Sequence, residues 1–338
     1  MTGTNGQLTK KDFTSDREVR WCPGCGDYAI LATVQTLLAD VGARPETTVF
    51  VSGIGCSSRF PYYMDTYGMH SIHGRAPALA TGLAITRPDL DVWVITGDGD
   101  GLSIGGNHLM HALRRNVNIN VLLFNNEIYG LTKGQYSPTS PLGSMHKSTP
   151  MGSLDRPINP VSLALGAEAT YVARSIDTDR KHLSEAITGA YHHRGASFVE
   201  IYQNCNVFND GAFAALKDKD TKDHYQIRLQ AGQPITFGPD GENAVIALED
   251  GSMRIVPTQE AGDRVVVHDP HHDEPTSAFA LSRLAHNPTG PTPIGIFRDV
   301  ERPVYDELLR DQLATAKHAR GEGDLQALLE AGNVWDVD

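Results

Sequence analysis

Two patterns of apolar residues alternate along the first half of the chain. Continuous apolar runs are typical of strands buried in a parallel sheet, and apolar residues three or four apart are typical of helices. The runs predict strands over 48–52, 92–96, 119–124, 171–174 and 197–202. The longer segments predict helices over 28–39, 77–86, 107–115 and 179–193. This alternation predicts a doubly wound, mostly parallel α/β sheet with right-handed crossovers.

The ends of the predicted helices carry their own signals. Asp27 is expected to cap the first helix, and another helix is expected to begin after Asn159. Residues 137–160 contain five Pro, five Ser, two Gly and two Thr, which predicts a long irregular loop. A loop of this length inside a compact domain is usually either functional or disordered.

The pattern changes after residue 207, where polar residues separate shorter apolar runs. These runs predict strands over 244–248 and 265–268, and helices over 277–284 and 304–317. We interpret this part as an appended region that does not continue the sheet. The expected organisation is an N-terminal segment over 1–20, a cofactor-binding domain over 21–206 and a C-terminal region over 207–338.

Composition narrows the class of protein. The 338 residues carry 29 basic and 41 acidic side chains, a net charge of −12, which argues against nucleic acid or an anionic membrane as a partner. No apolar run approaches the roughly 18 residues that a spanning helix needs, and the polar start does not look like a secretory signal. We expect a cytoplasmic protein, whose four cysteines are too few for a disulfide scaffold.

Chemically unusual residues follow several of the predicted strands. Ligands bind open parallel sheets beyond the carboxyl ends of the strands, so these segments should share one edge. Gly97-Asp98-Gly99 follows one strand and Asn125-Asn126 follows the next. Glycines let backbone amides approach a diphosphate, and carboxylate and amide oxygens are ligands that Mg²⁺ prefers. A Gly-Asp-Gly alone is more often a simple turn, but its placement favours a magnesium-diphosphate site.

Cys22 and Cys25 enclose Pro23-Gly24, and three interpretations of this pair remain open. A thioredoxin-like redox pair should follow a strand, whereas the preceding residues are highly charged. A structural zinc site usually uses two close pairs, but Cys56 and Cys205 are isolated. An iron-sulfur cluster can take thiolates from distant segments. Both isolated cysteines follow strands at the proposed ligand edge, which favours redox chemistry.

At these residues the sequence resembles a known family, the beta subunits of 2-oxoacid:ferredoxin oxidoreductases, and most closely their 2-oxoglutarate form. The resemblance runs from about residue 19 to 209 and more loosely beyond. Its ordered motifs are Trp21-Cys22-Pro23-Gly24-Cys25-Gly26, Gly53-Ile54-Gly55-Cys56-Ser57, His73-Gly74-Arg75-Ala76, Gly97-Asp98-Gly99-Asp100, the segment 125–135 and Cys205.

The resemblance implies cofactors and the residues that bind them. The implied ligands of one 4Fe-4S cluster are Cys22, Cys25, Cys56 and Cys205, and those of Mg²⁺ are Asp98, Asn126 and the backbone oxygen of Ile128. The implied contacts of thiamine diphosphate are Ile54, Gly55, Cys56, Ser57, His73, Gly74, Gly97, Asp98, Gly99, Asp100, Asn126, Gly130 and Leu131.

Two residues are candidates for catalysis, Arg59 and His73. The resemblance implies a basic residue near the substrate carboxylate at the position of Arg59, and a guanidinium suits a carboxylate. A surface salt bridge is the alternative for Arg59. His70 and His73 could form a zinc pair, although their spacing is weak evidence, and Lys133 and Gln135 could simply stabilise their loop.

The resemblance also implies the reaction and the partners. A 2-oxoacid, CoA and ferredoxin would react to give an acyl-CoA, CO₂ and reduced ferredoxin. The chain has one diphosphate-binding region, so an alpha subunit would supply the pyrimidine-binding half, in a heterodimer or its dimer. Alternatives are a pyruvate or broad-specificity form, a non-redox thiamine diphosphate decarboxylase or carboligase, and a zinc-stabilised binding module.

Overall fold

The structure is a computed structural model that describes residues 8–284 and 290–337. The strands are β1 (Thr48–Ser52), β2 (Tyr67–His70), β3 (Asp91–Gly97), β4 (Ile119–Asn125), β5 (Ile128–Tyr129), β6 (Gln135–Tyr136), β7 (Tyr171–Ile176), β8 (Ala196–Tyr202), β9 (Gln226–Leu229), β10 (Thr236–Phe237), β11 (Asn243–Ala247), β12 (Met253–Pro257) and β13 (Thr292–Asp299). Among these residues there is no helix with the length and apolar character needed to span a bilayer.

Helices connect and cover the strands. The α-helices are α1 (Asp27–Asp40), α2 (Ala76–Thr86), α3 (Asp98–Leu102), α4 (Gly106–Arg114), α5 (Pro160–Gly166), α6 (Arg180–His192), α7 (Ala214–Lys217), α8 (Lys222–Tyr225), α9 (Thr258–Ala261), α10 (Thr276–Leu284), α11 (Tyr305–Arg320) and α12 (Leu325–Leu329). Short 3₁₀ helices cover Lys10–Phe13, Pro45–Thr47, Ser57–Tyr63 and Gly262–Arg264.

The main sheet has eight strands in the order β2-β1-β3-β4-β8-β7-β13-β9. Every neighbouring pair is parallel except β13 with β7. Alternate side chains of the central strands enter two separate apolar cores. In β3, Val92 and Val94 belong to the core that includes residues of α2 and α4, and Trp93 and Ile95 belong to the core that includes residues of α1 and α6. The predicted doubly wound, mostly parallel sheet is therefore confirmed.

The region after residue 207 corrects one expectation. Strand β13 pairs with β7, and β9 pairs with β13, so both extend the main sheet. The interpretation that this region does not continue the sheet is therefore wrong. The predicted strand over 265–268 is also absent, since Val265 and Val267 form only isolated bridges. Pro293 and Gly295 interrupt the apolar pattern of β13, which conceals a buried strand.

One cap was predicted incorrectly. The helix α1 begins at Asp27 itself after Gly26, and the Asp27 side chain is buried with 1% exposure instead of capping the helix. Asn159 does cap α5, because its side chain accepts a hydrogen bond from the backbone N–H of Ser162.

A buried ion pair joins the centre of the sheet to its C-terminal extension. Arg174 on β7 donates from Nε to Glu200 Oε2 on β8 at 2.6 Å, and both side chains are at most 1% exposed. The Arg174 guanidinium also donates to the backbone oxygen of Pro293 on β13 at 3.3 Å. Glu200 in turn accepts from Asn125 Nδ2 at 2.7 Å, so the pair leads directly to the end of β4.

Replacing Arg174 by methionine is expected to lower the free energy of unfolding by about 3 kcal/mol, because Glu200 would keep a buried charge with no cation. Urea unfolding measures this change. Arg180→Met, at an exposed position on α6, is the matched control and should change the free energy of unfolding by less than about 0.5 kcal/mol. Equal stability of the two variants would contradict the assigned role of the pair.

Candidate functional site

The candidate site lies at the carboxyl edge of the sheet. The strands β1, β3, β4 and β8 run parallel and end at this edge, as the sequence predicted. The segments that follow these strands contain the chemically unusual residues, in the ranges 53–59, 97–100, 125–130 and 203–206. The site is therefore built from loops that the sheet holds side by side.

Asp98 begins the short helix α3 and is 2% exposed. Its Oδ2 accepts hydrogen bonds from the hydroxyls of Ser137 and Thr139, the latter at 2.6 Å. Burial raises the pKa of Asp98 to about 6, although these hydrogen bonds act to lower it. Among the described residues no basic side chain forms an ion pair with Asp98. Buried carboxylates are normally paired or bind metals, so this carboxylate fits a divalent cation.

Asp100 joins two other predicted cofactor loops. Its Oδ1 accepts from the backbone N–H of Gly74 at 2.8 Å and from that of Ile54 at 3.2 Å, and its Oδ2 accepts from Thr96 Oγ1 at 2.8 Å. The His73 ring lies nearby, with Nδ1 3.7 Å from Asp100 Oδ1. Asp100 thus fixes the loops that contain Ile54 and His73 against the end of β3.

The turn after β4 is tightly held. Asn126 Oδ1 accepts from the backbone N–H of Ile128 at 3.2 Å, which closes a local turn. Between them, Glu127 has a φ of +56°, a left-handed conformation that is uncommon for a residue with a side chain. Burial, followed by the charges of Asp98 and Glu200, raises the pKa of Glu127 to about 8. The turn brings the Glu127 carboxyl group close to Asp98.

Gly99 allows the turn to approach helix α3. The Tyr129 hydroxyl donates to the backbone oxygen of Gly99 at 2.9 Å. A β-carbon at position 99 would lie 2.2 Å from the Tyr129 ring, so only glycine fits at this distance. The two halves of the predicted magnesium motif are therefore in direct contact.

The cysteines lie on three loops that meet at the same edge. The backbone N–H of Gly26 donates to the oxygen of Asn204 at 3.2 Å, and Trp21 Nε1 donates to the oxygen of Cys56 at 2.7 Å. A β-carbon on Gly130 would lie 3.5 Å from Cys205 Sγ and 3.6 Å from Cys56 Sγ. The sulfurs of Cys56 and Cys205 therefore flank Gly130, one residue after the Tyr129 contact.

The local environment makes two of these thiols hard to ionise without a cation. Burial, followed by the charge of Asp27, raises the pKa of Cys25 and raises that of Cys56 to about 12. Negative charge on Cys205 is a smaller cause of the same two shifts. A cationic metal centre reverses such a preference, because a coordinating thiol is deprotonated outright. Ionised forms of Cys25 and Cys56 would therefore need a cation beside them.

The alternatives for these cysteines can be compared with the fold. Over residues 8–21 no strand precedes Cys22, so this described stretch lacks the placement expected of a thioredoxin-like pair. Within residues 8–284 and 290–337, no three His, Cys, Asp or Glu side chains form a group that could hold a single metal ion. The assignment of all four cysteines to one cluster stays a prediction.

The two candidate catalytic residues lie close to the loops of the site. Arg59 is in the 3₁₀ helix Ser57–Tyr63, and its Nη1 donates to the backbone oxygen of Arg20 at 2.9 Å. It forms no ion pair with any carboxylate of the described residues, so the alternative salt bridge is not seen. His73 is exposed, whereas Nδ1 of His70 is 2.8 Å from Ser52 Oγ, which weakens the interpretation as a zinc pair.

Sequence reasoning missed the polar residues that surround the site. Ser137 and Thr139 belong to a loop that was predicted only as functional or disordered, and the three hydroxyl side chains within 137–140 were the available signal. Gln135 accepts a hydrogen bond from Thr132 Oγ1 and donates from Nε2 to the backbone oxygen of Thr132, which supports its alternative role in stabilising its own hairpin. A cavity of about 490 Å³ lies between the loop 137–160 and the ends of β4 and β8.

Comparison with known proteins relates this geometry to a cofactor. A family model described as thiamine pyrophosphate enzyme, C-terminal TPP binding domain, matches residues 53–201. The matched range begins at the loop after β1 and ends in β8, so it contains the Asp98 loop and the turn after β4.

Relatives and one solved structure cover most of the chain. The 2-oxoglutarate oxidoreductase subunit KorB of Mycobacterium tuberculosis is 58% identical over 330 residues, which are 97% of this chain and 88% of that protein. The 2-oxoacid:ferredoxin oxidoreductase subunit beta of Saccharolobus solfataricus is 38% identical over 80% of this chain and 87% of that protein. A structure of 2-oxoglutarate:ferredoxin oxidoreductase from Magnetococcus marinus with 2-oxoglutarate, coenzyme A and succinyl-CoA bound aligns with a TM-score of 0.75 and 34% identity over 97% of both chains.

Proposed function

Because the chain belongs to the beta subunits of the 2-oxoacid:ferredoxin oxidoreductases, with a thiamine pyrophosphate-binding domain, we propose that it catalyses the oxidative decarboxylation of 2-oxoglutarate together with an alpha subunit. The products are succinyl-CoA, CO₂ and two electrons, which leave one at a time to ferredoxin. The observation that carries the proposal is that the loop of Asp98 and the three cysteine-bearing loops meet at one sheet edge. A cytoplasmic location, as predicted from the sequence, belongs to the same proposal.

The residues of the Asp98 loop and of the turn after β4 would hold Mg²⁺ and the diphosphate. Asp98 supplies the anionic oxygen, and Asn126 and the backbone oxygen of Ile128 supply neutral oxygens, a donor set that suits a hard cation. When bound, thiamine diphosphate supplies a carbanion nucleophile and an electron sink for decarboxylation. Asp100 holds the loop of His73 at the end of β3, where His73 would lie beside the bound cofactor.

Arg59 has the role of binding the substrate. Its guanidinium donates one hydrogen bond to the Arg20 backbone oxygen, and its remaining N–H groups can bind a carboxylate through two parallel hydrogen bonds. It follows Cys56 by three residues, so a carboxylate bound there lies next to a proposed cluster ligand. CoA enters as the co-substrate that accepts the succinyl group through its thiol, which releases one proton.

The four cysteines would bind one 4Fe-4S cluster, which supplies one-electron transfer when it is present. Support comes from the sulfurs of Cys56 and Cys205, which both lie beside Gly130, and from the contact between Gly26 and Asn204. Four cysteines can ligate only one such cluster, so electrons must leave to an external ferredoxin. Non-redox thiamine diphosphate enzymes do not need this set of cysteines, which argues against the decarboxylase or carboligase alternative.

An alpha subunit is expected to complete the active site. In this enzyme class the carboxylate that activates the aminopyrimidine ring belongs to a separate pyrimidine-binding domain. Three large apolar side chains beside the site loops are exposed, Ile72 at 69%, Ile104 at 58% and Leu131 at 44%. Exposed apolar patches of this kind mark protein interfaces, which supports a partner subunit at this edge.

The purified chain alone is expected to show no turnover of 2-oxoglutarate, and addition of the alpha subunit is expected to give CoA-dependent reduction of ferredoxin. The reason is that half of the cofactor environment is missing from the isolated chain. The measurement is anaerobic ferredoxin reduction with 2-oxoglutarate, pyruvate or no 2-oxoacid.

The outcomes of this assay separate the candidate functions. Faster reduction with pyruvate would replace the proposed substrate, and turnover by the single chain would contradict the need for a partner. If the chain, purified anaerobically with sufficient metal, has no visible absorption near 400 nm, the assignment of an iron-sulfur cluster is contradicted. That result would favour a zinc-stabilised module.

A further inference from the structure

The root of the loop 137–160 is a cluster of three buried hydroxyls, formed by Ser137, Thr139 and Ser140, which we call the hydroxyl cluster. These side chains are between 2% and 4% exposed, although the loop contains no helix or strand over 137–159. Ser137 Oγ lies 3.2 Å from Thr139 Oγ1 and 3.3 Å from Ser140 Oγ. The cluster is therefore an ordered polar unit at the base of an irregular loop.

The hydroxyl cluster contacts both halves of the proposed magnesium motif. Ser137 and Thr139 donate to Oδ2 of Asp98, which follows β3. Thr139 Oγ1 also lies 2.9 Å from Asn125 Oδ1, at the end of β4, and Ser140 Oγ donates to the backbone oxygen of Glu127. The segment 137–140 thus contacts both the Asp98 carboxylate after β3 and the turn after β4.

The direction of these hydrogen bonds matters for metal binding. A hydroxyl has one proton, and Thr139 has two possible acceptors, Asp98 Oδ2 and Asn125 Oδ1. The carboxylate is the stronger acceptor, since hydrogen bonds to charged groups are shorter and roughly twice as strong as neutral ones. Both hydroxyls therefore fix the carboxylate at the same oxygen and set the orientation of its plane.

We propose that Thr139 and Ser137 are positioning residues for the divalent metal ion, because both donate to Asp98 Oδ2 and hold the Asp98 carboxylate in one orientation. This inference depends on the proposed function, since that function places Mg²⁺ at Asp98. Removing a hydrogen-bond partner of a metal-ligating carboxylate commonly lowers the metal affinity by 10-fold to 100-fold.

The test uses the complex of this chain with its alpha subunit, stripped of metal and cofactor. Thiamine diphosphate binding is followed by calorimetry while Mg²⁺ is titrated, and binding of Mn²⁺ alone is followed by electron paramagnetic resonance. Thr139→Val keeps the shape and removes the hydroxyl, and it is expected to raise the Mg²⁺ concentration for half-saturation about tenfold. Thr139→Ser restores a hydroxyl and should return the value to within about twofold of the wild type.

A matched control lies in the same loop. The Thr149 hydroxyl oxygen is buried and has no hydrogen-bond partner among the described residues, so Thr149→Val makes the same chemical change away from Asp98. It should leave the Mg²⁺ dependence unchanged. Ser137→Ala is the second variant, with the same expected direction, if Thr139→Val does not fold.

The results distinguish the inference from the proposed function. An unchanged Mg²⁺ dependence in folded Thr139→Val and Ser137→Ala would overturn the positioning role while leaving the metal site intact. A wild-type complex that binds thiamine diphosphate equally well without any divalent metal would overturn the metal site itself. A tenfold shift in Thr139→Val that is also seen in Thr149→Val would overturn the inference, because the effect would then be general to the loop.

Discussion

Replacing Asp98 by alanine is expected to abolish the proposed Mg²⁺ binding, and with it thiamine diphosphate binding and turnover, while leaving the visible absorption of the proposed 4Fe-4S cluster in place. Asp98 is a buried carboxylate with no cationic side chain paired to it among the described residues, so it is the main anionic donor available to the metal. Removal of an outer partner of a metal ligand usually costs 10-fold to 100-fold in affinity or activity. Loss of the ligand itself should therefore exceed about a hundredfold.

Calorimetry with thiamine diphosphate and Mg²⁺ measures this loss in the complex with the alpha subunit. Asp98→Asn keeps the size of the side chain and removes the charge, so it should also lose most of the metal affinity. The matched control is Asp89→Ala, because Asp89 is exposed and pairs with Arg87 far from the site in the fold. Near-normal affinity for the cofactor in Asp98→Ala would remove Asp98 from the metal site.

Cys205→Ser is expected to damage the cluster and to block electron transfer to ferredoxin more severely than it weakens cofactor binding. Cys205 follows β8, and its sulfur lies beside Gly130, as does the sulfur of Cys56. Serine is a poorer ligand for iron than a thiolate, so iron should be lost or bound weakly. If Cys205 were only a buried apolar residue, serine would lower stability modestly and leave the colour unchanged.

Iron content, the visible spectrum and the rate of ferredoxin reduction are measured under anaerobic conditions. Val207→Ser places the same hydroxyl two residues further along, at an exposed position, and should leave all three quantities unchanged. An intact four-iron spectrum with full electron transfer in Cys205→Ser would contradict the assignment of four cysteine ligands.

The central strands could be predicted from the sequence because their apolar runs are continuous. The prediction of 48–52 matches β1 residue for residue, and that of 92–96 lies within β3. The edge strand β2 was missed because all four of its residues are exposed, so burial leaves no pattern in its sequence. Strand β13 was missed because Pro293 and Gly295 interrupt it, although tertiary pairing with β7 and β9 still holds it in the sheet.

The site could be located from the sequence but not described in detail. Parallel strands must bring the loops of Asp98 and Cys56 to one edge, which is why position along the chain was sufficient to group them. The contacts of Ser137 and Thr139 with Asp98 depend on how a loop without regular structure folds back, which no periodic pattern records. The position of Asp27 could not be predicted either. An aspartate before a helical pattern suggested a cap, but the fold buries its carboxyl group beside Cys25, and this burial is the main reason that its pKa rises to about 7.

The position of β13 between β7 and β9 determines the order in which the sheet can form during synthesis. Strand β7 is complete at residue 176, but its neighbour at the outer side ends only at Asp299, more than a hundred residues later along the chain. Until then the ribosome-bound chain presents β7 as an open edge with the Arg174 side chain lacking its Pro293 contact. Open edges invite pairing between chains. A fragment ending near residue 206 would keep this edge permanently, so the cofactor-binding part of the protein cannot be separated from its C-terminal region without the risk of aggregation.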